Sequence, residues 1–316
     1  MKLIIQIPCF NEEQTLPDTL ADLPSEVEGF DVTEYLVIDD GSTDRTAEVA
    51  REHGAHHVVK LVKNRGLARA FMIGLEECLR RGADVVVNTD GDNQYRGECI
   101  QSLVDPILAG ETQIVVGARP IAEIKTFSPI KKLLQYLGSW VVKIASGANI
   151  PDAPSGFRAY HHDAAIRLQV NNNYTYTLET IIQAGRMGIP MTSVPVSVNR
   201  VERPSRLFRS TFEYVFRSVA TIFRVFVLYR PLKFFFVLAI LVSIPGLLGI
   251  ARFLYFYFSE GGAGHVQSLV ISGVLVAMGS ILMAVGLLAD LISSNRRLLE
   301  DIRVRQIKLD LESRDR

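Results

Sequence analysis

Two stretches near the C-terminus limit what this chain can be. Phe234 to Ile250 carries no charged residue, Arg252 interrupts only near the far end of a run that continues to Phe258, and a second uncharged stretch covers Val266 to Ala289. Each is long enough to cross a hydrocarbon layer of ~30 Å as a helix. The competing reading is a pair of buried core helices. Both runs are apolar all round, however, and the region before them does not need them as a core. The connecting segment Ser259-Glu260-Gly261-Gly262-Ala263-Gly264-His265 has no Lys or Arg, whereas Arg224, Arg230 and Lys233 flank one side and Arg296, Arg297, Arg303 and Arg305 the other. By the positive-inside rule this predicts a transmembrane hairpin, spans about 232–258 and 266–291, with both ends cytosolic. Tyr255, Phe256 and Tyr257 crowd the outer end of the first span as an interfacial belt, where Arg252 can snorkel.

The front of the chain reads differently. Leu3 to Ile7, Tyr35 to Ile38, His57 to Val62, Val85 to Asn88 and Gln113 to Gly117 are strand-like. Between them Asn11 to Leu23 has helical spacing, Thr43-Asp44 reads as the N-cap region of a helix through His53 stopped by Gly54, and Gly66 to Arg81 reads as a helix stopped by Gly82. Strands alternating with helices predict an α/β domain with a mostly parallel central sheet. Met1-Lys2 leads straight into the first strand, too short for a signal peptide, which also puts the front of the protein in the cytosol of a membrane-bound chain. Lys plus Arg equal Asp plus Glu at 34 each, so no whole-protein field points to nucleic acid. Cys9, Cys78 and Cys99 lack the spacing of metal ligands or a disulfide framework. His53, His56, His57, His161 and His162 show no ligand spacing tied to the acidic clusters and read as surface or capping residues. Ser210 to Tyr229 carries Phe212, Phe216, Val219, Phe223 and Phe226 on one face, with Arg209, Glu213, Arg217 and Arg224 on another. That pattern predicts an amphipathic helix in the headgroup plane, the alternative being a helix packed on the soluble domain. The expected organisation is therefore 1–208 cytosolic α/β domain, 209–230 interfacial helix, 231–292 hairpin and 293–316 charged cytosolic tail.

Three polar clusters follow successive strands: Pro8-Cys9-Phe10-Asn11-Glu12-Glu13, Asp39-Asp40-Gly41-Ser42 and Asp90-Gly91-Asp92-Asn93-Gln94. A single such cluster is an ordinary turn or helix cap. Parallel strands put all three on one sheet edge, where open α/β folds bind ligands, so a shared site explains them better. Two carboxylates around Gly91 form an oxygen-rich site suited to Mg²⁺ or Mn²⁺ carrying a diphosphate.

In order along the chain, Pro-x-(aromatic)-Asn-Glu, Ile-Asp-Asp-Gly-Ser-x-Asp, Asp-x-Asp, Gly117-Ala118-Arg119 and Ser155-Gly156-Phe157-Arg158 resemble the family-2 nucleotide-sugar glycosyltransferases of the GT-A fold. Among them the polyprenyl-phosphate branch is most similar, including dolichol-phosphate mannose synthases and membrane-anchored undecaprenyl-phosphate glucosyltransferases. The resemblance covers roughly residues 3–206. It implies that Pro8, Phe10, Glu12, Ile38 and Asp40 hold the nucleotide, with Phe10 where Tyr is common. It further implies that Asp90 and Gly91 face the ribose or metal, that Asp92 ligates the metal, and that Gln94 and Arg119 contact the donor diphosphate or sugar. Lys131 and Gln135 fall near the acceptor phosphate, Gln135 replacing a serine, and Arg200 with Arg206 matches a phosphate clamp, Arg standing for a usual Lys. Asp152, Ser155, Arg158 and Glu179 are candidates for sugar contact or for support behind it. The implied partners are a nucleotide sugar, a polyprenyl phosphate and the bilayer, with self-association through the hairpin. An ionised phosphate acceptor needs cations to position it more than a general base. Two rivals remain: a processive polysaccharide synthase, weakened by the single hairpin and by the absence of a Gln-x-x-Arg-Trp motif (Trp140 is the sole tryptophan), and a non-catalytic membrane adaptor.

Overall fold

The computed structural model describes residues 1–120, 129–170, 176–199, 227, 231–260 and 266–312, with backbone alone for 129–135 and several other helical positions. The chain divides into two units, Met1–Ser218 with Ile302–Arg316, and Val219–Asp301.

In the first unit, β1 (Lys2–Cys9) is buried from Leu3 onward because it is paired on both sides and covered on both faces. It runs parallel to β2 (Val32–Asp39) and to β4 (Val85–Asn88), and β3 (His57–Lys60) adds parallel outside β2. A strand in that position reads as a continuous apolar run rather than an alternating one. On one face Leu3, Ile5, Ile7, Val37, Val85 and Val87 pack with Leu16 and Leu20 of α1 (Leu16–Asp22), Val49 of α2 (Thr46–Glu52) and Leu103 and Ile107 of α4 (Ile100–Leu108). On the other lies α3 (Leu67–Arg80), brought close by Gly74: a Cβ there would meet Gln6 Oε1 at 2.4 Å and Ile38 Cδ1 at 2.6 Å.

The other half departs from simple alternation. After β5 (Ile114–Ala118) and α5 (Pro129–Ser146), β6 (Arg158–His161) inserts antiparallel between β4 and β5. The chain continues through α6 (His162–Arg167) and α7 (Thr177–Arg186) to β7 (Met191–Pro195), parallel to β5. The seven strands lie in the order β3-β2-β1-β4-β6-β5-β7. The mostly parallel sheet expected from the sequence is present; β6 and β7 had not been read there.

One helix start also shifts. α1 begins at Leu16, not Asn11, because Asn11 is left-handed (φ 56) and the amides of Asn11, Glu12 and Glu13 are taken by Ser42 Oγ (2.9 Å), Thr46 Oγ1 (2.9 Å) and Asp44 Oδ2 (3.2 Å). α2 starts at Thr46, whose amide is capped by Asp44 Oδ1 at 3.0 Å, within the capping region Thr43-Asp44 expected from the sequence.

The second unit contains α8 (Pro231–Glu260) and most of α9 (Val266–Glu312), each with a segment long and apolar enough to cross a membrane, Pro231–Ser259 and Val266–Asn295. Small residues bring them together. A Cβ on Gly246 would meet Ser272 O at 2.8 Å, and one on Gly279 would meet Ala239 O at 3.0 Å. Dispersion and close backbone approach hold such a pair where lipid supplies no hydrophobic drive. α9 continues as one helix through the charged segment to Glu312. Its last part belongs to the first unit, where Arg303 donates to Glu76 Oε1 (3.0 Å) and to Leu168 O (3.3 Å). The expected interfacial helix of 209–230 and the loop 261–265 lie outside the described residues.

Gly41 is a position where only glycine fits, since its φ is +71 and a Cβ would meet Lys63 C at 2.4 Å. Gly41→Ala should lower stability by about 1–2 kcal/mol from the backbone conformation alone, and by more from the clash. Thermal unfolding of the detergent-solubilised protein checks this; an unchanged transition would refute it.

Candidate functional site

Strand register collects the polar turns. Cys9 is level with Asp39 across β1 and β2, and Gln6 with Asn88 across β1 and β4, so the turns after all three strands open side by side. β6 runs the other way, and its first residue Arg158 pairs with both Asn88 and Val116. Ser155-Gly156-Phe157 therefore enters, and β5 leaves towards Arg119, at this same edge.

In the β1–β2 corner Pro8 is buried and Phe10 is 42% exposed. Ile38 is fully buried against α3, so any part it takes in binding falls to its backbone. Asp40, expected to hold the nucleotide, spends both oxygens on the chain: Oδ1 accepts from the Arg65 amide and Oδ2 from the Gly66 amide, each at 2.8 Å. Burial raises its pKa and these two amides oppose the rise. Its neighbour Asp39 is fully buried and accepts from the Ser42 amide at 2.8 Å. Its Oδ2 has no hydrogen-bond partner among the described residues, with Lys60 Nζ 3.9 Å away. A buried acceptor left over at a ligand edge is suited to receiving an N–H or O–H from a ligand.

The Asp90-Gly91-Asp92 turn is packed onto β1. A Cβ at Gly91 would come within 2.7 Å of Cys9 Sγ, which accounts for the glycine. The Thr15 hydroxyl bridges Glu12 Oε2 (2.7 Å) and Gly91 O (2.9 Å), tying the first cluster to the third. The Gln94 amide donates to Asp92 Oδ1 at 3.2 Å, and Gln94 O accepts from the Asn199 amide at 2.8 Å. Asp90 is only partly open to solvent, and its pKa is raised to about 7, first by desolvation and then by the negative Asp92; Arg119 and Arg158 pull it down.

Arg119 is clamped. Its Nε donates to Asp152 Oδ2 at 2.7 Å and its Nη2 to Asp152 Oδ1 at 3.0 Å, a two-point contact with both side chains largely buried. Burial works against its charge, but Tyr95, Asp152 and Asp90 together hold its pKa above the ordinary arginine value. Asp152 thus supports Arg119. Ser155 and Arg158 are completely buried. Arg158 donates to Ser155 O (2.8 Å), Ala153 O (2.6 Å) and Thr180 Oγ1 (2.7 Å), stapling the loop that carries Asp152. Glu179 is also buried, at the start of α7.

One group escaped the sequence reading. Gln6 Nε2 donates to Asn88 Oδ1 at 2.9 Å, and Asn88 Nδ2 donates to Gly156 O (2.9 Å) and the Tyr176 hydroxyl (2.8 Å). Tyr176 stacks on Phe71 with centroids 3.9 Å apart. These residues form the floor beneath Asp90. A Cβ at Gly156 would lie 3.1 Å from both Asp90 carboxylate oxygens and 2.9 Å from the Tyr176 hydroxyl. Two polar residues at one register in neighbouring apolar strands were the available signal.

The side chains of Lys131 and Gln135, and residues Arg200 and Arg206, lie outside the described residues. Among the described residues no group of three or more His, Cys, Asp or Glu could hold a metal. Asp90 and Asp92, close enough for one charge to raise the other's pKa, fit a hard cation that takes few protein carboxylates and completes its shell with phosphate and water.

The raised pKa has a defined consequence in the metal-free protein. Folded Asp90 keeps its proton to about pH 7, while the unfolded carboxyl loses it near 3.8, so between these values folding takes up a proton and stability falls as pH rises. Asp90→Asn removes this loss. In EDTA its melting temperature should gain on the parent protein between pH 5 and pH 8; a gap independent of pH would refute the assignment.

Comparison with known proteins agrees with this architecture. The model of glycosyl transferase family 2 matches residues 4–169. Undecaprenyl-phosphate mannosyltransferase of Micrococcus luteus is 30% identical over 207 residues, 62% of this chain and 83% of the relative. Glycosyltransferase AglJ of Haloferax volcanii is 28% identical over 303 residues, 93% of this chain and 94% of the relative. Among solved structures, glucosyl-3-phosphoglycerate synthase of Mycobacterium tuberculosis, in complex with Mn²⁺, UDP and glucosyl-3-phosphoglycerate, aligns with a TM-score of 0.55 and 20% identity, covering 72% of this chain and 78% of that one. The last likeness establishes the GT-A-type fold. A family model spanning more than half of the chain, over the sheet edge that gathers Asp39, Asp90, Asp92 and Arg119, establishes the rest: the protein is a glycosyltransferase and belongs to glycosyl transferase family 2.

Proposed function

We propose that the enzyme transfers a single sugar, with inversion, from a UDP- or GDP-linked donor to a polyprenyl phosphate such as undecaprenyl phosphate at the cytosolic membrane face. The observation that carries this reading is the meeting, at one sheet edge, of the Asp90–Asp92 turn and an arginine fixed by Asp152, in a chain that also has two helices of membrane-crossing length. The polyprenyl-phosphate substrate in the name of the Micrococcus relative supports the acceptor, and the Mn²⁺ and UDP complex of the Mycobacterium enzyme supports donor and cation.

Breaking the bond between an anomeric carbon and a diphosphate loads negative charge on the leaving group. Mg²⁺ or Mn²⁺ would be held by Asp92, with Asp90 beside it, and when bound would supply electrostatic stabilisation of that diphosphate. Asp152 occupies two of the five N–H donors of Arg119, which fixes the guanidinium and suits the others to a phosphate oxygen. Phe10, Glu12, Asp40 and the unpartnered Asp39 oxygen serve the nucleotide, Asp40 by fixing the loop at Arg65 and Gly66. The acceptor phosphate has a second pKa near ~6 and is already ionised at neutral pH, so it attacks the anomeric carbon without a strong base. Lys131, Gln135, Arg200 and Arg206 position it. Both termini lie in the cytosol on this reading. Self-association through the hairpin would use its outer faces, because the Gly246 and Gly279 sides already meet within it.

The test is an assay of detergent-purified protein with undecaprenyl phosphate and a panel of UDP- and GDP-sugars, with Mg²⁺, Mn²⁺ or EDTA. A lipid product carrying one sugar, formed only with the cation, is expected; a polymer points to the synthase, and no transfer or hydrolysis with any donor points to the adaptor. Asp92→Asn should reduce transfer about 100-fold or more while leaving folding and membrane insertion intact. Full activity of that variant with Mg²⁺ would sink the metal assignment. Arg206→Ala should raise KM for lipid or donor, and unchanged kinetics for both would remove it from the clamp.

A further inference from the structure

α5 presents two unlike faces. On one side Gly138, Ser139 and Val142 are buried, the Ser139 hydroxyl accepts from the Ala153 amide at 3.1 Å, and Ser146 O lies 2.4 Å from where a Cβ on Gly185 of α7 would stand. Gly185 lets α7 sit tightly against this side. On the other, Tyr136 (51% exposed), Leu137 (39%), Trp140 (56%) and Ile144 (37%) are open, with exposed Lys143 beside them. Spacings of one, four and eight place these four residues along one stripe of a helix. Elsewhere in the described residues of this unit, the exposed large hydrophobics Met1, Phe10, Val32, Val62, Ile302 and Leu309 are scattered along the sequence.

The exposed stripe has the chemistry of a lipid headgroup layer. Trp and Tyr favour that depth because each joins an apolar ring to a polar tip. The helix contains Lys131, Lys132 and Lys143 and no acidic residue, which complements anionic headgroups. The same chain carries two segments of membrane-crossing length. We propose that the outer face of α5, centred on Tyr136 and Trp140, is seated in the headgroup layer of an anionic membrane leaflet and docks the catalytic unit on its substrate surface. The inference rests on the membrane setting of the proposed function, not on sugar transfer itself. It has a consequence for the site: Ser139 receives the Ala153 amide, and Ala153 follows Asp152, the residue that clamps Arg119. Seating α5 thus steadies the loop on which the arginine depends.

Trp140 is the only tryptophan in the chain, so native fluorescence reads its surroundings without labels. The full-length protein is placed in nanodiscs of phosphatidylcholine and phosphatidylglycerol, with or without bromine on the acyl carbons nearest the headgroup. Brominated lipid should quench the emission at least about twofold, and aqueous acrylamide should quench it weakly. Strong acrylamide quenching without bromine quenching would put Trp140 in water and overturn the proposal. Protection from both quenchers would put it against protein, such as a second copy, and would overturn it equally. Replacing Tyr136→Ser and Ile144→Ser together should weaken bromine quenching; unchanged quenching in a folded variant also counts against the stripe. No donor or acceptor is present, so failure of the transfer assay would leave this result standing, and the reverse.

Discussion

Two carboxylates share one turn at the end of β4, and keeping Asp90 there with little water beside Asp92 governs what surrounds it. Desolvation first, and then the negative Asp92, push the Asp90 pKa to about 7. An arrangement of that kind persists only where opposite charge is held nearby by something firmer than a flexible side chain. Arg119 provides that charge, and it stays in place because Asp152 grips it at two points. Asp152 in turn sits on a loop whose carbonyls at Ala153 and Ser155 are bound by the buried Arg158. The chain of dependence therefore runs from a repelling pair, through a clamped arginine, to an arginine that no ligand reaches. A buried guanidinium with backbone carbonyls and a hydroxyl as partners is costly to keep. Its attraction for Asp90 gives a reason for keeping it.

The floor under the turn obeys the same economy of space. Gln6, Asn88 and Tyr176 join into a buried hydrogen-bonded group that ends on the Gly156 carbonyl. Such groups specify one arrangement when all their members are satisfied and are expensive when one is not. Gly156 lies between this group and Asp90, with no room for a methyl group. The Ser-Gly-Phe-Arg motif is thus explained residue by residue. Ser155 offers its carbonyl, Gly156 the closeness, Phe157 a ring stacked on Tyr95 at 4.8 Å, and Arg158 the staple.

What could be read from the sequence depended on whether a residue's role is set by its neighbours along the chain. The strands β1, β2 and β4 were legible because paired and covered strands must be apolar throughout, and their terminal acids then fell on one edge. The hairpin was legible because spanning a membrane is a matter of composition and length. β6 was not: it has four residues, Arg158–His161, and begins with a charge, so only its insertion between β4 and β5 makes it a strand. The start of α1 was misjudged because side chains of the next turn claim its first amides, a tertiary effect. The course of α9 follows from its own sequence: no Gly or Pro stands between Gly286 and the end of the helix to stop it, so it runs on through the charged segment after Ser294. That Asp40 rather than Asp39 meets the Arg65 and Gly66 amides was not legible, since it is decided by a loop folding back from β3.

On the proposed function, the two apolar helices contribute to catalysis without lending a reactive group. Its small residues are spent on holding α8 against α9, and the side chains left outside, such as Leu248, Val270, Ile281 and Ile292, suit acyl chains. On the proposed function, the donor comes from water and the acceptor is confined to a plane. An enzyme free in solution would meet that acceptor only by repeated landing. Tethering the sheet edge to the same plane makes the encounter effectively intramolecular, with a local concentration set by the tether rather than by bulk dilution. The gain requires the tether to present the site at headgroup depth, and two apolar helices alone do not fix the height or tilt of the domain they carry. The membrane contact proposed for α5 would do so, and because α5 is bonded through Ser139 to the loop that holds Arg119, its exposed aromatic stripe would then matter to the chemistry as well as to attachment.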